Sequence, residues 1–102
     1  MKIVDDRSRH GGPVKVNIHP HALARIKERG CTRADVEYTV KHGLSSPAKY
    51  GRTRFTHTFA YNRKWLDKVY MHKTVEAFVQ PQGYDSWLVI TVIVKFHEWS
   101  MP

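Results

Sequence analysis

From Thr53 onward the sequence keeps a period of two through three separate runs, and no other feature constrains the fold as tightly. Thr53, Phe55, His57, Phe59 and Tyr61 alternate with Arg54, Thr56, Thr58 and Ala60. Val69, Met71, Lys73, Val75, Ala77 and Val79 then alternate with Tyr70, His72, Thr74, Glu76 and Phe78. In the last run Leu88, Ile90, Val92, Val94 and Phe96 share one face, and Trp87, Val89, Thr91, Ile93, Lys95, His97 and Trp99 take the other. Successive side chains of a strand point to opposite faces, so alternation on this scale means sheet. The near-continuous apolarity of the last run predicts a central strand covered on both faces. Asn62-Arg63-Lys64 and Pro81-Gln82-Gly83 supply the turn chemistry between the runs.

The chain ahead of these runs reads differently. Val14, Val16 and Ile18 alternate with Lys15 and Asn17, a short strand whose leading Pro13 suits a sheet edge. Pro20 then opens a helix that gathers Ala22, Leu23 and Ile26 on one side and runs to Arg29, where Gly30 stops it. Thr32 is the predicted N-cap of a second helix, with Asp35 completing a capping box and Cys31 stapled to Val36. Gly43 ends that helix after Lys41 and His42. Helices gathered before an antiparallel sheet make an α+β two-layer domain. We therefore expect a single domain over residues 13–102, behind a flexible lead of residues 1–12. Two N-terminal helices would pack on an antiparallel sheet of three to four strands.

Charge narrows the function. Seventeen Lys and Arg against nine Asp and Glu leave the 102-residue chain at +8, with a pI near 9.9. A domain this basic attracts polyanions, and nucleic acid is the commonest in a cytosol. A merely soluble basic surface is the plainer alternative. The longest apolar stretch, Trp87 to Val94, falls far short of the ~20 residues of a membrane span. With no secretory h-region near Met1 and a single cysteine, a cytoplasmic location is expected. Nine scattered carboxylates give a two-metal nuclease or a glycosidase little to build on, and no serine lies in a hydrolase motif.

Two stretches could carry chemistry. His21, Arg25 and Arg29 are spaced four apart, so an imidazole and two guanidiniums stack on one helix face and could converge on one anion. Guanidinium forks match phosphate oxygens, and an imidazole moves protons near neutral pH. The same face could simply be solvated, with Glu28 pairing one arginine. From Lys49 to Lys68, cations including Arg52, Arg54, Arg63 and Lys64 are interleaved with Tyr50, Phe55, Tyr61 and Trp65. Cations for phosphates and rings for unpaired bases describe a single-stranded nucleic-acid surface, although some of these rings belong to a core. Neither a metal nor another cofactor is expected. His19-Pro20-His21 has no third ligand in a zinc-like spacing.

The motif His21-Ala22-Leu23-Ala24-Arg25-Ile26-Lys27-Glu28-Arg29-Gly30, of the form H-A-x-x-R-x-x-x-R-G, is followed by the capped helix with Asp35-Val36 and later by Val89-Ile90-Thr91-Val92. Over about His19 to His97 this resembles a family of small bacterial domains of unknown function, related to the RelE-like and barnase–EndoU–colicin ribonuclease toxins. The resemblance implies a helical pair on a twisted antiparallel sheet and, in the toxin members, metal-independent RNA cleavage. It implies catalytic positions at His21, Arg25, Arg29 and Thr91. His21 would move the proton, the arginines would hold the phosphate and Thr91 would hydrogen-bond it. RNA is then the substrate, and a neutralising acidic antitoxin or immunity protein the expected partner. A non-catalytic basic module or inhibitor that binds nucleic acid or an acidic protein is the alternative, and an exposed edge strand would permit a homodimer.

Overall fold

The computed structural model describes residues 15–98, so the expected flexible lead, residues 1–12, lies outside the described residues. Strand β1 (Lys15–Ile18) leads through one residue into helix α1 (Pro20–Glu28), followed by α2 (Arg33–His42). Strands β2 (Leu44–Pro47), β3 (Thr53–Trp65), β4 (Lys68–Pro81) and β5 (Ser86–His97) complete an α+β fold. They form one sheet in the order β1-β5-β4-β3-β2.

The sheet has five strands rather than three or four, and it is mixed. β1 pairs with β5 in parallel, from Lys15 opposite Ser86 to Ile18 opposite Val89, while every other pairing is antiparallel. Parallel pairing is open to β1 because both helices and three strands lie between it and β5 in the chain, far more than the dozen residues such a crossover needs. β4, not β5, is central. β2 was not foreseen because Leu44-Ser45-Ser46-Pro47 carries no apolar alternation, and only its pairing with Phe55 and its neighbours makes it a strand.

Both helices lie on one face of the sheet. Val75, Ala77, Val79, Val89 and Val92 are buried beneath Ala22, Ile26, Val36 and Val40, with Val16 and Ile18 closing one side. Mostly β-branched side chains fill this interior, each worth about 1.5–3 kcal/mol on full burial. The α1–α2 junction has the predicted form. Gly30 stands at φ 75, Thr32 and Asp35 form both bonds of the capping box, and Cys31 and Val36 are buried together. A Cβ at Gly30 would lie 2.9 Å from the Phe96 ring and 3.1 Å from Trp65. Left-handed backbone and lack of room both select glycine there.

Lys73 is the unusual member of the helix-covered face. Its side chain is only 7% exposed, and Nζ donates to Asp35 Oδ2 at 2.7 Å and to the Gly30 carbonyl at 3.0 Å. The ammonium also stands 5.0 Å from the Tyr61 ring. Burial by itself would raise Asp35, but the bonds and charge of Lys73, with the Thr32 cap, hold its carboxyl below the ordinary value. Burial and then the Asp35 charge push the neighbouring Cys31 thiol up to about 12.

Two irregularities depart from the expected alternation. The β3–β4 register shifts between Ala60 and Arg63, with Asn62 at φ 48, so Asn62-Arg63-Lys64 forms a bulge in a continuing strand. The chain reverses later, at Leu66-Asp67, with Trp65 opposite Lys68. On β5 the register shifts between Val79 opposite Val89 and Phe78 opposite Thr91. Ile90 is the extra residue. Val89 and Val92 consequently both face the helices, and Thr91 and Ile93 are exposed on the other side. β5 is therefore covered on one face only.

Candidate functional site

β1 ends at Ile18, where its partner on β5 is Val89. Beyond that residue the edge of β5 loses its neighbouring strand, and α1 lies alongside instead. The helix is pinned at both ends. The His19 N–H donates to the Val89 carbonyl at 2.9 Å, while its Nδ1 caps the helix by accepting from the His21 N–H at 3.1 Å. At the other end Arg29 Nη1 donates to the Val92 carbonyl at 2.7 Å. Between these anchors the bulge sets Ile90 and Thr91 against the helix.

A cleft of about 160 Å³ results, lined by His21, Ala22, Arg25, Arg29, Ile90, Thr91 and Val92. All four residues of the expected catalytic set line it. His21 and Arg25 are exposed, Arg29 is half-buried, and Ala22 provides the small side chain that leaves room between them. Glu28 approaches Arg25 Nε at 3.9 Å, an exposed pair that leaves the guanidinium largely free to meet another anion. Arg29 has a second task, because its bond to Val92 also holds α1 on the sheet.

The four expected nucleic-acid contacts do not form one surface. Arg52 and Arg54 line a larger groove of about 430 Å³ on the helix-free side, with Pro47, Ala48, Lys49, Tyr50, Phe78, Thr91 and Ile93. Arg54 is steadied by donating from Nε to Ser46 Oγ at 3.2 Å, and the Arg52 guanidinium lies 5.6 Å from the Tyr50 ring centre. Arg63 and Lys64 stand near the far end of the β3–β4 hairpin, where Arg63 covers the Tyr61 ring at 5.1 Å. Nine residues of strand separate Arg54 from Arg63, about 30 Å of extended chain. Thr91 lines both the cleft and the groove, so the two hollows meet at the bulge.

Three strand histidines, His57, His72 and His97, lie away from the cleft. His57 packs beside Tyr38 and Phe59 under the helices. The His97 Nε2 and the Thr74 hydroxyl share a hydrogen bond at 2.9 Å, and His72 stands opposite His97 in the register. His97 is six residues beyond Thr91, roughly 20 Å along the strand. Among the described residues no three His, Cys, Asp or Glu side chains gather as metal ligands would, and no helix is long and apolar enough to cross a membrane. Phe78 and Ile93 are groove residues that the sequence reading missed, although alternation already set Phe78 apart from Ala77 and Val79. No family model, curated protein or solved structure matches this chain.

Proposed function

We propose that this chain is a RelE-like, metal-independent endoribonuclease of bacterial toxin type. The observation that carries the reading is the convergence of His21, Arg25, Arg29 and Thr91 on one cleft at the free edge of β5. In the reaction, the His21 imidazole takes the proton of an RNA 2′-hydroxyl, and the 2′ oxygen forms a bond to the adjacent phosphorus. Arg25, the remaining donors of Arg29 and the Thr91 hydroxyl stabilise the extra charge on the non-bridging oxygens. The bond from phosphorus to the 5′ oxygen breaks, and that oxygen takes its proton from water, since no second titrating side chain lines the cleft. The products are a 2′,3′-cyclic phosphate and a 5′-hydroxyl. The cationic faces also suit an acidic neutralising protein as partner, acting in the cytoplasm.

The deciding experiment incubates purified protein with total RNA and tRNA in EDTA, beside His21→Ala, and maps the product ends. Discrete fragments ending in cyclic phosphate are expected from the wild type, with the rate reduced about 10²- to 10⁴-fold in the variant. Intact RNA in the presence of folded wild-type protein would overturn the catalytic reading. One observation favours that second outcome: Arg29 is already engaged with Val92 and His21 is the lone imidazole of the cleft. The chain would then be a binding module for nucleic acid, recognised by salt-sensitive affinity without product.

A further inference from the structure

We infer that the groove on the helix-free side is a stacking subsite for the unpaired base next to the phosphate held in the α1 cleft, with Tyr50 as its platform. This rests on the reading of the α1 cleft as a phosphate site and adds where a base is recognised. Size separates the two hollows. Pockets that enclose a whole small molecule start at about 300 Å³. The cleft, at about 160 Å³, admits a phosphate group without its base, whereas the groove, at about 430 Å³, holds a base and its sugar. The shared Thr91 makes them neighbours, as consecutive parts of one nucleotide must be.

The chemistry of the groove fits a base rather than a bare anion. Phe78 and Ile93 give it an apolar floor beside the guanidiniums of Arg52 and Arg54. Tyr50 is 85% exposed and, with Gly51, forms the left-handed central pair of the tight turn between β2 and β3, at φ 62 and φ 71, closed by the Arg52 N–H donating to the Lys49 carbonyl at 3.2 Å. The turn carries the exposed ring at the groove, beside Arg52. The Arg52 guanidinium carbon lies 5.6 Å from the ring centre, so a base laid on the ring also meets a cation.

The test measures binding of fluorescein-labelled 2′-O-methyl decauridylate and decaadenylate, which lack the free 2′-hydroxyl and so cannot be cut. Inorganic polyphosphate serves as a base-free competitor. Tyr50→Gly removes the ring and relieves the left-handed strain, so its fold is at least as stable as the wild type. Its affinity for the oligonucleotides is expected to fall about 10-fold, the loss of one stacked base, while competition by polyphosphate is unchanged and Tyr50→Phe behaves as wild type. Equal oligonucleotide affinity in Tyr50→Gly, or a parallel loss for polyphosphate, would overturn the stacking subsite and leave the cleavage reading standing. The expected pattern without any cyclic-phosphate product in the cleavage assay would support the subsite and reject the enzyme. Wild-type protein that binds polyphosphate but neither oligonucleotide would overturn both.

Discussion

Lys73→Met would test how the helical layer is fastened to the sheet. The substitution keeps an unbranched apolar stem of similar length and removes the ammonium that bonds Asp35 and the Gly30 carbonyl. Asp35 is left half-buried without its counter-ion, with a main-chain carbonyl unpaired beside it. Breaking a fully buried ion pair from one side costs about 3–5 kcal/mol. The Asp35 side chain keeps 21% of its surface, which lowers the expectation to about 2–4 kcal/mol. For a domain of this length that is a fall in Tm of roughly 10–20 °C. The loss also depends on pH. Because the folded-state pKa of Asp35 is depressed, the pair stabilises the fold fully above the unfolded carboxyl value near 3.8, and the contribution disappears as pH falls through the lower folded value. Urea unfolding followed by circular dichroism at pH 7 and pH 2.5 should therefore show a large difference between wild type and variant at pH 7 and a smaller one in acid. Lys73→Met combined with Asp35→Asn should recover part of the loss. A difference that stays constant with pH, together with a coupling energy near zero in that double-mutant cycle, would refute the reasoning.

Gly30→Ala forces a Cβ against Phe96 and Trp65 in left-handed backbone. Thermal unfolding should register about 1–3 kcal/mol of destabilisation. Cys31, with its thiol pushed up to about 12 and its side chain buried, should resist iodoacetamide at pH 8 in the folded protein and react at once in urea, as read by mass spectrometry.

Helix ends and every strand but β2 were readable because each is set by neighbours along the chain: Thr32 with Asp35, Gly30 after Arg29, and the alternations of β3 and β4. What escaped was decided by residues distant in sequence. The apolar run from Trp87 to Val94 looks the same in either phase, so its pattern cannot locate the bulge at Ile90, which only pairing with Val79 and Phe78 reveals. Leu66-Asp67 offers only Asp67 as a turn residue and sets Leu66 at φ 59, so the true reversal was weakly marked while Asn62 carried a misleading signal. At the site, the fourfold spacing of His21, Arg25 and Arg29 placed all three on one face, as the helix period requires. Arg52, Arg54, Arg63 and Lys64 were close in sequence, but a strand of 13 residues moves its ends apart rather than together. A lysine among the valines of β4 was the visible sign of a buried ion pair, and Asp35 could be recognised as its partner only once α2 was docked.

The cleft has walls that are made at different times. Arg29 and the Val92 carbonyl it grips are 63 residues apart, and ribosomes add about 5–20 residues per second. Roughly 3 to 13 s pass between synthesis of the helix and synthesis of the strand edge it leans on. During that interval the nascent chain presents His21, Arg25 and Arg29 with nothing opposite them and no Thr91 bulge to complete the hollow. A hollow lined by both α1 and Thr91 is therefore complete only after the strand edge has been made.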